Sequence, residues 1–207
     1  MPIVTISRQY GSGGSEVAER VARALGWSLF DNAFVDEVAA RLGMTPAEVE
    51  AREERVPSLA ERVAVAMSLG VPEVMPMIGD LAVQPTEERI VEVTRLVMEE
   101  ALQGGPVVLV GRGAQSMLAA RADAIHVYCY APTPALIAYA IDELGVPPDQ
   151  AARQVAEVNH QREQYVKRHW HRDWRDLTNY DICVNTARLG LDGAADLVIH
   201  AARKLFT

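Results

Sequence analysis

Five consecutive residues, Gly11, Ser12, Gly13, Gly14 and Ser15, bring together three glycines and two hydroxyls. They stand between an apolar β-type run, Ile3 to Ser7, and a helical pattern, Val17, Ala18, Val21, Ala22 and Leu25, that stops at Gly26. Glycine lets successive backbone N–H groups converge on an anion, and the helix start adds partial positive charge. The chemistry this points to is phosphate binding. Arg8 precedes the glycines and can reach a phosphate with two parallel hydrogen bonds. Asp31 closes the second apolar run, where a carboxylate orients a sugar hydroxyl, accepts a proton, holds Mg²⁺ through water, or caps the next helix. Gly111-Arg112-Gly113 follows the third run, and an arginine there clamps a phosphate. The stretch Arg162 to Arg175 is locally basic, with Arg162, Lys167, Arg168, Arg172 and Arg175 against Glu163 and Asp173. A basic lid closing over polyphosphate has this composition, because phosphoryl transfer needs positive charge placed on the moving phosphate. His169 and His171 lack a third clustered ligand, so they do not spell a metal site.

The glycine segment departs from the phosphate-loop pattern G-x-x-x-x-G-K-[ST]. With Gly13 as the second glycine, Arg8 stands at the first, Gly14 replaces the lysine and Ser15 keeps the hydroxyl. A plain glycine turn is the bland reading, but three glycines and two serines exceed what a turn needs. A dinucleotide fingerprint is a further alternative, with Asp31 at about the ribose-binding distance. Against it, Arg8-Gln9-Tyr10 lengthen the loop and Glu16 occupies the position of the third glycine.

These groups need strands ending together. Apolar runs at 3–7, 27–31, 107–110, 125–130 and 181–184 alternate with helical patterns, which predicts an α/β fold with a parallel sheet covered on both faces. Thr45-Pro46-Ala47-Glu48 and Ser58-Leu59-Ala60-Glu61 read as capping boxes. Thr133-Pro134 and Pro147-Pro148 open further helices, and a last helix over about 191–205 is expected to return onto the sheet. Trp170 and Trp174, four apart, are expected to anchor the lid. The interval between the second and third strands is roughly twice one crossover. It predicts a helical insertion, about 40–104, with a Met/Pro-rich centre at Met67 to Met77.

The chain has 207 residues, 49% hydrophobic and 23% charged, with net charge −8. That suits a single α/β domain and argues against general nucleic-acid or anionic-membrane binding. Cys129 and Cys183 lie in apolar runs and read as buried, reduced thiols of a cytoplasmic protein. No run is long enough to span a membrane as a helix.

The motifs I-S-R-Q-Y-G-S-G-G-S-E-V-A, F-D, V-L-V-G-R-G-A, H-V-Y-C-Y-A-P, R-E-Q-Y, W-R-D-L-T-N-Y-D-I-C-V-N-T and R-L-G-L occur in this order over nearly the whole chain. The sequence thereby resembles the cytidylate kinase-like family of P-loop nucleoside monophosphate kinases. The resemblance implies a three-layer sandwich around a five-stranded parallel sheet of order 2-3-1-4-5, in one domain over 1–207. It also implies a helical substrate-binding insertion and a lid at about 153–176. The implied reaction is ATP- and Mg-dependent phosphoryl transfer to a nucleoside monophosphate, CMP or dCMP, or a related small molecule. Gly11, Ser12, Gly13, Gly14 and Ser15 then hold the donor phosphates, with the Ser15 hydroxyl near Mg²⁺. Asp31 and Arg112 face the acceptor, and Arg8, Asp31 and Arg162 are the expected catalytic residues. Arg162, Lys167, Arg168 and Arg172 form the lid. The partner is a small nucleotide rather than nucleic acid or membrane, and a homodimer is compatible.

Gly14 stands where true cytidylate kinases carry the loop lysine, in the R-Q-x-G-S-G-G form that the cytidylate kinase-like group commonly shares. Two further features depart from the group's usual pattern: Pro134 to Ala140 without the usual arginines, and Asn159 where an Asp precedes the lid arginine. A noncatalytic nucleotide- or phosphate-binding protein on the same fold is the competing expectation.

Overall fold

The computed structural model describes residues 1–53 and 87–206. Among the described residues five strands are present: β1 (Ile3–Arg8), β2 (Ser28–Phe30), β3 (Val107–Val110), β4 (Ala124–Tyr130) and β5 (Ile182–Asn185). They form one parallel sheet in the order β2-β3-β1-β4-β5, as the resemblance implies. Strand β1 is central, with Ile3 paired to both Val107 and Ala124. Its first five residues are all buried, because both faces of the sheet are covered. Of its two buried hydroxyls, Thr5 and Ser7, that of Thr5 is paired with His126 Nδ1 at 2.7 Å.

On one face lie α1 (Gly14–Leu25) and α8 (Thr186–Leu205). Val17, Val21, Ala194 and Val198 from these helices meet Val4, Ile6, Val108 and Val127 of the sheet. On the other face lie α2 (Asn32–Leu42), α3 (Pro46–Glu53) and α4 (Glu87–Ala101). There Val38, Val49, Ile90 and Val97 bury against Ile3, Val107 and Leu109. The described ends of the expected insertion therefore serve the core. The Ser58 capping box and the Met67 to Met77 stretch lie outside the described residues. The Thr45 box is formed, with Thr45 N–H donating to Glu48 Oε2 at 2.8 Å and Glu48 N–H to Thr45 Oγ1 at 3.3 Å.

A short α5 (Ala114–Met117) follows β3, and α6 (Thr133–Asp142) follows β4. Helix α7 (Pro148–Trp170) runs 23 residues and ends at His171, which is left-handed at φ 55°. Trp174 therefore falls beyond the helix, and the two tryptophans anchor by separate routes rather than as an i, i+4 pair. Trp174 is buried with its ring edge-on to Tyr128, centroids 5.4 Å apart. Helix α8 is broken at Gly190 (φ 70°, ψ 168°), so its continuous part begins at Leu191 as expected. Cys129 is buried, but Cys183 is only half-buried because β5 is an edge strand. Burial pushes the Cys129 thiol up to about 12, which removes it from thiolate chemistry at neutral pH.

Candidate functional site at the carboxyl ends of the strands

The Gly-rich loop leaves β1 and enters α1 directly. Gly13, left-handed at φ 67°, holds the N-cap position, and no side chain caps the helix. Val17 N–H makes the first helical bond, to the Gly13 carbonyl at 3.0 Å. The N–H groups of Gly14, Ser15 and Glu16 are left at an uncapped helix start, which is a ready anion site. The loop is braced from inside. The buried Ser12 hydroxyl donates to the Gln9 carbonyl at 2.8 Å, and Gln9 N–H donates to the Cys129 carbonyl at 2.9 Å.

Each loop glycine has a physical reason. A Cβ at Gly11 (φ 80°) would run into the Leu136 carbonyl oxygen of α6. A Cβ at Gly13 would meet Leu191 and Tyr139. A side chain at Gly13 would thus enter packed protein rather than the anion's space. At Gly14 the Cβ would meet the Arg8 stem and the Cys129 Cβ. The room a loop lysine would start in is thus already filled by Arg8.

Beside the loop lies a cavity of about 380 Å³. Arg8, Ser15, Asp31, Arg112 and Arg162, drawn from four separate parts of the sequence, all line it. Arg8 Nη2 reaches Asp31 Oδ1 at 3.4 Å, and its Nε is buried without a hydrogen-bond partner among the described residues. Asp31 sits at the N-cap position of α2 but its side chain does not cap that helix. Its carboxylate is given to the cavity instead.

Arg112 lies in three consecutive left-handed residues: Gly111 (φ 71°), Arg112 (φ 53°) and Gly113 (φ 71°). A bulky residue there is strained by about 1–2 kcal/mol. The turn is held by Gly111 N–H to the Ile6 carbonyl at 3.0 Å and Ala114 N–H to the Gly111 carbonyl at 2.9 Å.

Helix α7 closes the cavity and is docked on the loop. Arg162 Nη1 donates to the Arg8 carbonyl at 2.8 Å, and its guanidinium carbon lies 5.9 Å from the Tyr10 ring centroid. The buried Asn159 accepts from Tyr10 N–H at 2.8 Å, and Gln154 donates to the Tyr10 hydroxyl at 3.0 Å. Lys167, Arg168 and Arg172 are not among the lining residues. Arg172 instead donates to Asn179 Oδ1 at 2.8 Å, bracing the turn after α7.

The far wall is aromatic: Tyr165, Trp174 and Tyr180. Burial pushes the Tyr180 hydroxyl up to about 12, so it stays a neutral donor; it bonds the Trp174 carbonyl at 2.8 Å. Sequence reasoning missed this wall and the α7 lining. A signal existed, since Gln154, Val158, Gln161, Arg162 and Tyr165 recur at helical spacing around Arg162.

A second cavity, about 290 Å³, opens on the other side of the loop at Gly11 and Ser12. Ala135, Ala138, Tyr139, Asp142 and Leu191 help to line it. Tyr139 donates to Glu16 of α1, and burial with that carboxylate raises its hydroxyl above the ordinary range.

The donor set also suits a magnesium ion. One hydroxyl, Ser15, and one carboxylate, Asp31, face the same cavity beside an anion cradle. Mg²⁺ keeps several waters and takes one or two protein oxygens together with substrate phosphates.

Solved structures share this architecture. An uncharacterized protein from Eubacterium ventriosum ATCC 27560 is 19% identical with a TM-score of 0.69, covering 98% of this chain and 99% of that one. Shikimate kinase from Bacteroides thetaiotaomicron is 13% identical, TM-score 0.54, covering 98% of each chain. A gluconokinase from Sinorhizobium meliloti 1021 is 16% identical, TM-score 0.53, covering 99% of this chain and 95% of that one. At such identities the likeness shows the fold, which is that of the P-loop kinases. A comparison with curated proteins gave no match. The model of the cytidylate kinase-like family matches residues 3–188. Family and fold together support phosphoryl transfer to a small molecule, with use of a nucleotide. On the loop, the sheet order and that match, the chain belongs to the cytidylate kinase-like family.

Proposed function

We propose that this chain transfers the terminal phosphoryl group of ATP to a nucleoside monophosphate, CMP or dCMP, with Arg8 supplying the charge that the loop lysine supplies elsewhere. The observation that carries this reading is the position of Arg8. Its stem occupies the space above Gly14, and its side chain lines the cavity with Ser15, Asp31, Arg112 and Arg162.

In this reading the loop N–H groups hold the donor phosphates, and the second cavity takes the donor nucleoside. The acceptor lies in the larger cavity with its phosphate toward Arg112. The nucleophile is an oxygen of the acceptor phosphate, whose second pKa near 6 leaves it mostly deprotonated at neutral pH. No side-chain base is then needed. A new P–O bond forms to the donor's terminal phosphorus as its bond to the bridging oxygen breaks, and ADP leaves with that electron pair. Arg8, Arg112 and Arg162 stabilise the negative charge as it spreads over the transferring oxygens. Asp31 orients Arg8 and accepts a hydrogen bond from the acceptor. Mg²⁺, held by the Ser15 hydroxyl and through water by Asp31, would neutralise charge between the phosphates. Residues 153–176 act as the lid and 40–104 as the acceptor-side insertion. A cytoplasmic protein acting on free nucleotide, as a monomer or homodimer, fits this reading.

A noncatalytic nucleotide-binding role is the second reading. It is favoured by Gly14 and by Pro134 to Ala140 of α6, a stretch without the arginines usual near the start of that helix. A coupled ADP-release assay across the common nucleoside monophosphates separates the two. Turnover with CMP or dCMP supports the kinase; no ADP above background at high enzyme concentration supports the binder.

A further inference from the structure

The left-handed turn at Arg112 is wedged from both sides. A Cβ on Gly111 would collide with the Arg8 guanidinium, and a Cβ on Gly113 would collide with the indole edge of Trp170. Both neighbours of Arg112 are therefore glycines covered by a side chain from another element. Trp170 is the last residue of α7, and its indole nitrogen is buried without a hydrogen-bond partner among the described residues. A buried indole N–H normally finds an acceptor, and leaving one unmatched is costly. Core packing alone would be served by a phenylalanine. The same helix holds the phosphate loop at its middle, through Asn159 to Tyr10 and Arg162 to Arg8. One rigid element thus touches the donor loop and the turn that carries Arg112.

We propose that Trp170 is the positioning residue for Arg112: its indole, lying on Gly113, keeps the turn in the left-handed form that aims Arg112 at the acceptor. This rests on the reading of Arg112 as an acceptor-binding group. Trp170 itself need not touch the acceptor. It acts by restricting the backbone on which Arg112 is mounted, so that the guanidinium meets the acceptor phosphate already oriented.

The test is a double-mutant cycle read by calorimetric titration, with CMP, dCMP and inorganic phosphate as acceptor probes and ADP as the donor-side probe. Trp170→Phe removes the part of the ring over Gly113 and keeps an aromatic. It is expected to weaken acceptor binding about ten-fold while ADP affinity stays within two-fold. Gly113→Ala attacks the same contact from the other side and is expected to do the same, which covers the case in which Trp170→Phe fails to fold. In an Arg112→Ala background, Trp170→Phe is expected to have no further effect on the acceptor. Equal loss of acceptor and ADP affinity, or full additivity with Arg112→Ala, overturns the positioning role. If Arg112→Ala leaves every acceptor probe unaffected, the acceptor reading itself falls and takes this inference with it. If Arg112→Ala weakens the acceptor but Trp170→Phe and Gly113→Ala do not, only this inference falls.

Discussion

The side chain of Arg8 lies where a Cβ on Gly14 would stand. Position 14 is where the phosphate-loop pattern puts its lysine, so the two residues exclude each other. An arginine at the end of β1 requires a glycine at the start of α1, so the positive charge stands at the other end of the same loop. Gly14→Ala should therefore destabilise by about 1–3 kcal/mol, because the overlap is with an Arg8 atom next to the backbone that cannot swing away. Thermal melts of Gly14→Ala, alone and with Arg8→Gly, check this. The double variant should recover most of the loss; failure to recover would place the clash elsewhere.

Arg8→Ala should lower turnover on the order of 10²–10³ while the protein stays folded, since nothing else lies on the loop to replace its charge. Arg8→Lys should retain part of the rate. Steady-state ADP release with circular dichroism as a folding control is the measurement. An Arg8→Ala enzyme with wild-type turnover would remove Arg8 from the catalytic set.

Gly13→Val should fail as a structural variant rather than as a selective binding variant. The left-handed φ costs a branched residue about 1–2 kcal/mol, and the added atoms meet Leu191 and Tyr139. A drop in melting temperature of several degrees is expected, with nucleotide binding lost alongside. A variant that melts like the wild type and still refuses nucleotide would instead mean that the side chain enters the anion's space.

Helix α7 gives a prediction without mutation. Residues 160–176 should gain protection from hydrogen exchange when an ATP analogue binds, because Asn159 and Arg162 hold the loop that the phosphates would order. Identical exchange with and without analogue would reduce α7 to a fixed wall.

His126 sets a pH dependence. Burial lowers its pKa below the ordinary 6.5, so the folded protein carries it neutral. The unfolded chain takes up that proton first. Stability is therefore fully present above about pH 6.5 and is lost as pH falls from there through the lower native value. Urea midpoints at pH 7.5 and 5.5, compared between wild type and His126→Gln, isolate this contribution. An equal pH slope in both proteins would assign the loss to other groups.

Much of this was legible in the residues. The strand and helix patterns place β1 to β5 within a residue or two, and Arg8, Ser15, Asp31, Arg112 and Arg162 line one cavity, while Gly11 and Ser12 of the loop line the second. Two kinds of fact were not legible. The direction of a missing Cβ depends on backbone torsion, so Gly13 and Gly14 could not be told apart by type, although one faces Leu191 and the other Arg8. The aromatic wall depends on where α7 stops. The left-handed His171 ends the helix between Trp170 and Trp174 and sends the two rings to different neighbours, Gly113 and Tyr128. Lys167, Arg168 and Arg172 carry the right charge for a lid, but helical phase turns the first two from the cavity, and Arg172 lies beyond the helix end, bonded to Asn179.

The central place of β1 governs how the chain must assemble. Its partners Thr5 and His126 are 121 residues apart, and the strands on either side of it come from the second half of the sequence. During synthesis the glycine segment is therefore made early and completed late, waiting exposed until β3 and β4 emerge. Non-local parallel pairing of this kind slows folding and lengthens the time in which apolar strand is unprotected. The closing of the sheet around β1 is therefore the step expected to be slow in refolding, with anion binding by the loop expected only after those long-range contacts form.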